Sequence, residues 1–520
     1  MVHFITELSK YLMIILFAAY AFSSYVVLKY RDGGIRSQKL YRWQVFCMFF
    51  IHLDAFAVIF AQTQEIKVLV FYAAQVAFIL FMFLIYKIIY KRSAKILVNH
   101  MCMLMIIGFI ILTRLDFENA LRQFEIACAA AVLSIFVPLL IRKLKVLRKF
   151  TWIYAVIGIG ALGAVFALGA TTYGAKLSFT IAGITVQPSE FIKIVFVFFC
   201  ACMLFNVKEF KRILITTIVA AIHVLILVAS TDLGAALIFF ITYIVMLYVA
   251  TRNPIYLFGG LGVGALAAVA ASKVFSHVRV RIIAWKDPFS VIDSQGYQIA
   301  HSLFAIGTGG WAGMGLFQGM PEKIPVNSSD FVFAVISEEM GGIFAICVIL
   351  VCFSCYLMTL NVAMQIKDSF YKLIALGLGT VYGFQVFLCI GGVIKFIPLT
   401  GVTLPFISSG GSSLLCTIIM FAIIQGLYIL RQDEGDADER SKVIETVNEK
   451  KSKSNAGYHR PQSGVRSEVD FKVGPGSPKK QNPENKAKYR SENCQKDRSA
   501  KKPEGRRRRS GFDNDIEELW

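Results

Sequence analysis

The segment VNSSDFVFAVISEEMGG, residues 326–342, carries three carboxylates around the start of an apolar run. Carboxylates close to hydrocarbon are costly, so they are candidates for function. On its chemistry alone, Asp330 has three possible roles: a helix N-cap, a general base or a metal ligand. On one continuous helix, Glu338 and Glu339 would lie about 12 to 13.5 Å deeper than Asp330, too far to share its proton.

A second segment, VRVRIIAWKDPF, places the cations Arg279, Arg281 and Lys286 around Trp285. Such cations either anchor a protein at the membrane interface or neutralise a phosphate-bearing ligand. Guanidinium groups suit the second role because they bind phosphate at two points. Both interpretations remain open from these residues alone, and the ligand would be a diphosphate.

Two further sites combine charge with apolar surroundings. Glu190 and Lys193 are three residues apart in TVQPSEFIKIVF, so they predict an ion pair on one helix face, with a structural role favoured over catalysis. Asp232, in STDLGAAL, is typical of a helix N-cap, and Gly234 would allow close packing.

Two segments are too irregular to cross a membrane as helices. Residues 296–319 contain seven glycines, which predicts a re-entrant or surface-lying loop, with His301 as a packed or interfacial residue. Residues 395–415 contain Pro398, Pro405 and a Ser/Gly cluster. Irregular backbone at membrane depth must be covered by protein or line a cavity, so we expect both segments to face one cavity.

The elements that position these residues are membrane helices. The 520-residue chain is 56% hydrophobic and 17% charged, with a mean hydropathy of +0.61. Apolar runs long enough to cross about 30 Å of hydrocarbon recur along it, which predicts an all-α polytopic membrane protein. The thirteen predicted spans are 11–29, 44–62, 68–88, 97–113, 123–141, 152–171, 190–206, 212–229, 233–250, 255–274, 331–358, 371–394 and 411–430.

Charge in the connections predicts the topology. Segments 29–42, 87–95, 142–149 and 208–212 are basic, whereas the connections between them are not. The positive-inside rule places basic connections in the cytoplasm, which leaves the N-terminus outside and the C-terminus inside. The long connections 172–189, 275–330 and 395–410 then lie on the outer face, where we expect the chemistry.

The remaining regions suggest no further chemistry. Residues 431–520 are polar and basic, which predicts a disordered cytoplasmic tail, either solubilising or a tether for anionic membrane lipid or a partner. The cysteines lie mostly in apolar runs, which favours packing, and no His/Cys cluster suggests zinc. No segment resembles a nucleic-acid-binding domain.

The ordered set of motifs resembles the SEDS (shape, elongation, division and sporulation) family, which includes RodA, FtsW and SpoVE. The resemblance covers roughly residues 97–430. The motifs that carry it are Gln187-Pro188-Ser189-Glu190-Phe191 with Lys193, Asp232-Leu233-Gly234, Trp285 with Pro288, Tyr297-Gln298, Ala305-Ile306-Gly307, Ser329-Asp330-Phe331 with Glu338-Glu339, Leu404-Pro405-Phe406-Ile407-Ser408 and Gly410-Gly411-Ser412-Ser413.

The resemblance implies a ten-helix core over residues 97–430, including the large outer loop 275–330, after a three-helix extension over residues 1–96. It implies a glycosyltransferase of the bacterial cytoplasmic membrane that polymerises lipid II, with Mg²⁺ or Mn²⁺ and a class B penicillin-binding protein as partner. Asp330 matches the family's essential carboxylate, as catalytic base or metal ligand. The substrate-binding candidates are Arg281, with Arg279 and Lys176 as weaker choices, together with Trp285, Tyr297, Gln298, Ser408 and Ser412. The residues expected to shape the cavity are Glu190, Lys193, Asp232, Glu338 and Glu339.

Two other classes of function stay open. The first is a transporter: either a lipid II flippase, which would need functional groups facing both leaflets, or a substrate–proton carrier, which would use Glu190, Asp232 and Glu338 as relays. A non-enzymatic scaffold for a transpeptidase would tolerate the loss of Asp330. The cytoplasmic connections are short, and no internal repeat is evident, which favours the enzyme.

Overall fold

The computed structural model describes residues 2–456 except 31–33, 144, 173–174 and 182–183. The first helices in chain order are α1 (Val2–Val27), α2 (Ile35–Thr63), α3 (Ile66–Ile88), α4 (Lys95–Leu115), α5 (Phe117–Ser134) and α6 (Val137–Lys143). Next come a 3₁₀ turn (Lys145–Lys149), α7 (Thr151–Leu168), the strands β1 (Ala170–Thr172), β2 (Ala175–Ile181) and β3 (Ile184–Val186), then α8 (Pro188–Leu204) and α9 (Phe210–Ala229).

The second half carries the long connections. Its elements are α10 (Leu233–Thr251), α11 (Pro254–Val274), α12 (Ser276–Lys286), α13 (Tyr297–Gly309), a 3₁₀ turn (Pro321–Lys323), α14 (Val332–Glu339), α15 (Gly342–Gln365), α16 (Ser369–Val393) and α17 (Gly411–Ala456). The predicted loop 296–319 therefore contains one short helix, α13, followed by glycine-rich irregular backbone. That helix has 13 residues and is too short to cross a membrane.

Twelve helices in the described part of the chain are long and apolar enough to cross a membrane. The predicted all-α polytopic class is therefore confirmed. The predicted span 190–206 corresponds to α8, which has 17 residues, about 25 Å of helix, and is buried on nearly every side. The orientation of the termini stays a prediction.

The predicted span 331–358 is wrong at its outer end. A short helix, α14, ends at Glu339, and the spanning helix α15 starts afresh at Gly342. Gly341 between them has φ +90°, a backbone conformation that side chains other than glycine disfavour. Glu338 and Glu339 consequently lie on α14 rather than inside the spanning helix.

The predicted outer connection 172–189 contains strands β2 and β3, which form a small antiparallel sheet of order β1-β2-β3 with β1. These strands were not predicted from the sequence. Their local signal is a run of β-branched residues, TT at 171–172 and ITV at 184–186, which favours strands over helix. The strands are short, and the chain remains predominantly helical.

The predicted disorder from residue 431 is wrong for residues 431–456, because α17 continues without a break to Ala456. This stretch is rich in Glu and Lys, both good helix formers, and Gly457 follows it in the sequence. The rest of the predicted tail, residues 457–520, lies outside the described residues.

The core of the bundle is built around helices that are buried along much of their length. Helix α4 is buried from Ile96 to Thr113, and α16 packs against α8, α10 and α15. By contrast, α11 buries none of its residues. Residues Met1–Lys450 form one compact unit.

The three N-terminal helices pack directly on this core. Helix α1 lies against α2 and α15, with the rings of Phe17 and Phe344 4.4 Å apart. The Tyr20 hydroxyl lies 2.9 Å from His100 Nδ1, and His100 Nε2 lies 2.9 Å from Ser354 Oγ. This buried polar chain joins α1, α4 and α15.

Cysteines contribute to packing, as predicted. Ten cysteines lie in the described part of the chain, all as free thiols. Nine of them are buried, and the tenth, Cys128, is partly exposed.

A buried ion pair fixes α14 against α4. Arg114 Nε lies 3.0 Å from Glu339 Oε1, and Arg114 Nη1 lies 3.3 Å from Glu322 Oε1. The Arg114 guanidinium also stacks over the Phe317 ring at 4.3 Å. Burial raises the pKa of Glu339 to about 7, although Arg114 acts to lower it. Glu338 accepts a hydrogen bond at 3.1 Å from the Met320 backbone N–H.

We predict that Arg114→Gln lowers the free energy of unfolding by about 3 to 5 kcal/mol at pH 8, because it leaves a buried carboxylate without its partner. Without the cation, the pKa of Glu339 rises further. In the wild type, with its pKa of about 7, Glu339 is already largely neutral at pH 6, so the ion pair contributes less there and the loss should be smaller. Unfolding of the purified protein at both pH values measures the difference.

Arg92→Gln is the matched control, because Arg92 pairs with Asp433 at 3.2 Å with both side chains partly exposed. An exposed pair is worth less than about 1 kcal/mol. Adding Glu339→Gln to Arg114→Gln should restore much of the stability. Equal, pH-independent losses in both arginine variants would contradict the role of the buried pair.

Candidate active site

Asp330 lies on the irregular segment immediately before α14. Ser329 Oγ donates a hydrogen bond to Asp330 Oδ1 at 3.2 Å. A Cβ built on Gly401 would lie 3.5 Å from Asp330 Oδ2, so the 395–410 loop faces this carboxylate. The N-cap of α14 is Phe331, not Asp330, and it makes no side-chain capping bond. The N-cap role considered for Asp330 is therefore wrong, and the other two remain.

The 395–410 loop fixes the backbone beside Asp330. The buried Ser408 donates from Oγ to the Ser329 carbonyl at 2.6 Å and accepts from the Leu404 N–H at 2.8 Å. The Ser409 N–H donates to the Ser328 carbonyl at 2.7 Å. Ser408, a predicted substrate-binding residue, thus bonds the segment that carries Asp330.

Helix α12 brings the predicted cation to the same loop. Arg281 Nη1 donates to the Leu399 carbonyl at 3.2 Å, and Trp285 Nε1 donates to the Lys395 carbonyl at 3.1 Å. Both side chains are partly buried. Arg281 and Trp285, one helical turn apart, therefore hold α12 against the 395–410 loop.

Electrostatics couple these groups. Burial raises the pKa of Asp330 above its ordinary value, while the Ser329 hydroxyl and the Arg281 cation act to lower it. Arg281 interacts electrostatically with both Asp330 and Asp232. The carboxylate is thus a stronger proton acceptor than an exposed aspartate, with a cation nearby that favours its ionised form.

Asp232 caps α10, as predicted. Its Oδ1 accepts from the Ala235 N–H at 3.1 Å. Its Oδ2 accepts from Ser189 Oγ at 3.1 Å and from Gln187 Nε2 at 3.4 Å. The neighbouring Gly234 also packs closely, since a Cβ there would lie 2.3 Å from Val402 Cγ2 in the 395–410 loop. Asp232 therefore connects α8 and α10 beneath this loop.

Glu190 and Lys193 form the predicted pair on α8, with Lys193 Nζ 2.8 Å from Glu190 Oε2. Both side chains are buried. Lys193 also donates to Gln385 Oε1 at 2.8 Å, and Gln385 Nε2 donates to the Thr403 carbonyl at 3.1 Å. Ser412 Oγ accepts from the Gln187 N–H at 3.0 Å. One polar network consequently runs from α8 to the loop and the start of α17.

Other predicted residues lie apart from these contacts. Arg279 is exposed and donates to the Lys273 carbonyl at 2.7 Å. Tyr297 is 40% exposed, with its ring 4.2 Å from that of His301, and Gln298 is partly buried on the same helix. Lys176 pairs through β2 with Thr171, and its side chain lies outside the described residues.

Glu338 and Glu339 also belong to a different cluster, the one around Arg114. The two glutamates end α14, whereas Asp330 precedes its first residue. Glu338 Oε2 and Glu339 Oε2 are buried without a hydrogen-bond partner among the described residues.

Sequence reasoning missed Gln385 and Arg114. Gln385 is a polar residue inside an apolar span, a signal that a search confined to ionisable residues passes over. Arg114 stands at the end of its span, two residues before Asp116, and resembles an ordinary interfacial charge. Its partner Glu339 is 225 residues away in the chain.

A metal centre made by protein ligands alone is absent from the part of the chain that the structure describes. No group of three His, Cys, Asp or Glu side chains there could hold an ion. Mg²⁺, however, commonly binds through one or two carboxylates together with waters and substrate phosphates. Asp330, half-buried and facing the 395–410 loop, fits the role of such a single protein ligand.

Comparisons with known proteins place this architecture in a family. The family described as "Cell cycle protein", FtsW/RodA/SpoVE, matches residues 93–432. Peptidoglycan glycosyltransferase RodA of Mycobacterium tuberculosis H37Rv is 36% identical over 267 residues, covering 48% of this chain and 57% of RodA. Stage V sporulation protein E of Bacillus subtilis is 33% identical over 268 residues, covering 49% of this chain and 71% of that protein.

A solved structure supports the fold. A chain of a peptidoglycan synthase complex aligns with a TM-score of 0.56 and 23% identity, over 65% of this chain and 98% of that one. The match to the mycobacterial RodA sequences spans little more than half of their length. The family match covers most of the membrane bundle that holds Asp330, Arg281 and Asp232. The protein is therefore a multi-pass bacterial membrane protein that belongs to the FtsW/RodA/SpoVE family, the SEDS family.

Proposed function

We propose that this protein is a peptidoglycan glycosyltransferase that polymerises lipid II at the outer face of the cytoplasmic membrane. The observation that carries the proposal is the half-buried Asp330, which interacts electrostatically with Arg281 and faces the 395–410 loop. The names of the mycobacterial relatives, peptidoglycan glycosyltransferase RodA, support the same activity.

Asp330 supplies the base for this reaction. The 4-hydroxyl of a GlcNAc unit attacks the anomeric carbon of a lipid-linked MurNAc, and undecaprenyl diphosphate leaves. A sugar hydroxyl is a poor nucleophile at neutral pH, and a positioned base contributes roughly 10²- to 10⁴-fold. A raised pKa suits a carboxylate that must accept the hydroxyl proton. An α-linked donor and a β-linked product imply a single inversion, which needs no covalent enzyme intermediate.

Arg281 stabilises the leaving group. The departing diphosphate carries its negative charge away without a proton when a cation neutralises it. Arg281 is held at the site by its bond to Leu399, whereas the exposed Arg279 is a secondary candidate. Asp330 would have a second role, instead of or besides accepting the proton, if it held Mg²⁺ or Mn²⁺, which would add further charge neutralisation.

The partner in this proposal is a class B penicillin-binding protein, which would crosslink the strands. Its support is the match to a chain of a solved peptidoglycan synthase complex. The alternatives are a lipid II flippase and a non-enzymatic scaffold, and neither requires a general base at Asp330.

We expect Asp330→Asn to lower polymerisation at least ~10²-fold, because the amide keeps the size of the side chain but cannot accept the proton. The assay uses the purified full chain with labelled lipid II and Mg²⁺ or Mn²⁺, with and without the penicillin-binding protein inactivated at its transpeptidase site. Gel separation of the glycan strands measures the product. Asp293→Asn, an exposed carboxylate of the same outer region, is the matched control and should leave polymerisation unchanged.

Each result has a distinct meaning. If Asp330→Asn alone makes no glycan strands, the result supports both the glycosyltransferase activity and the active site at Asp330. Strands that survive the substitution would keep the enzyme but move its active site elsewhere. No strands from the folded wild-type protein, with the partner bound, would favour transport or scaffolding.

Arg281 should also set the pH range of activity. Its cation acts to lower the pKa of Asp330, so in Arg281→Gln that pKa rises and the carboxylate takes up a proton at a higher pH. The acid limb of the pH–rate profile should consequently move to higher pH, together with a loss of rate of about tenfold or more.

Arg281→Lys keeps the charge and should hold the acid limb near its wild-type position. Arg279→Gln removes an exposed cation and should shift the limb little. The coupling would be refuted by an acid limb that stays in place in Arg281→Gln while the rate falls.

A further inference from the structure

The N-terminal extension contacts the glycine-rich loop 310–319. Lys10 of α1 donates from Nζ to the Gly313 carbonyl at 3.3 Å, and Lys10 is only 9% exposed. A side chain on Gly315 would meet Thr6 Cγ2 at 2.9 Å, so α1 lies directly against this loop. Lys10 also forms an ion pair with Glu7, whose Oε2 lies 2.7 Å from Lys10 Nζ.

Helix α1 is itself held in place near this contact. Ser9 Oγ donates to Asp54 Oδ2 of α2 at 2.7 Å. Farther along the helix, its Phe17 ring packs on Phe344 of α15. These contacts hold the first turns of α1 in place, so α1 can in turn hold the loop 310–319.

The loop in turn holds the far end of α14. The Met314 N–H donates to the Glu338 carbonyl at 2.9 Å, and the Gly315 N–H donates to the Glu339 carbonyl at 2.8 Å. These are carbonyls at the carboxyl end of a helix, which need partners from outside the helix. Gly342, the first residue of α15, donates to the Gly310 carbonyl at 2.8 Å.

Helix α14 begins two residues after Asp330, so a displacement of the helix would also displace the Asp330 carboxylate. It has only eight residues, too few to be a stable helix without tertiary contacts. Two supports act on it: the Arg114–Glu339 pair from the core, and the loop 310–319 that Lys10 contacts.

We propose that the N-terminal extension positions Asp330 through Lys10, which holds the loop 310–319 against the carboxyl end of α14. Lys10 is a positioning residue, because it touches the loop and not the candidate site. This inference rests on the proposed function for its effect on catalysis. The contact it invokes can be measured without any reaction.

The test compares Lys10→Met with the wild-type full chain in two measurements. Amide hydrogen exchange at Met314 and Gly315 should become at least about tenfold faster, the lower limit expected for loss of one charge-assisted hydrogen bond. In the polymerisation assay, kcat should fall about tenfold with KM within twofold, because small displacements of a catalytic group lower the rate. Lys10→Arg, which keeps a donor cation, should restore both values towards those of the wild type.

The matched control is Tyr25→Phe, which removes another bond between α1 and the core, from Tyr25 Oη to the Leu350 carbonyl at 2.8 Å. It should change neither measurement. If Lys10→Met does not fold, Lys10→Gln tests the same contact with a smaller change.

Unchanged exchange in the lysine variant would overturn the proposal. So would faster exchange with an unchanged kcat, or an equal loss of kcat in Tyr25→Phe. A wild-type protein that makes no glycan would refute the proposed function instead, and the exchange result would still decide whether Lys10 holds the loop.

Discussion

The structure depends on one constraint: polypeptide that is not helical at the edge of a membrane must satisfy its backbone hydrogen bonds within the protein. The segment that ends at Asp330 meets this constraint through the 395–410 loop, with Ser408 and Ser409 bonding the carbonyls of Ser329 and Ser328. The hydrogen bonds that satisfy this backbone therefore also fix the carboxylate. The position of Asp330 thus depends on two segments, its own and the 395–410 loop.

The charges around the site also interact with one another, because the interior of the bundle screens charges less than water does. Arg281 interacts with Asp330 and Asp232, and Asp232 in turn interacts with the Glu190–Lys193 pair. Removing one of these charges changes the cost of keeping the others ionised. The network therefore couples the loop that faces Asp330 to helices α8 and α10, and a substitution within it has effects beyond its own position.

Much of the fold could be predicted because apolar length and loop charge are local signals. The helices, the Glu190–Lys193 pair and the Asp232 cap follow from spacings of a few residues. The break at Gly341, the role of Gln385 and the partner of Arg114 could not, because each depends on contacts between segments far apart in the chain. Ser408 was predicted to bind substrate from its motif alone, whereas its contacts are with the backbone beside Asp330.

The burial of the cysteines has a practical consequence for chemical labelling. Nine of the ten described thiols are enclosed by the bundle, so maleimides in water reach them poorly. A single cysteine introduced at the exposed Asp293 would offer an accessible thiol without removal of the native ones. A maleimide that cannot cross the membrane would then report on which side the 275–330 loop lies in intact cells.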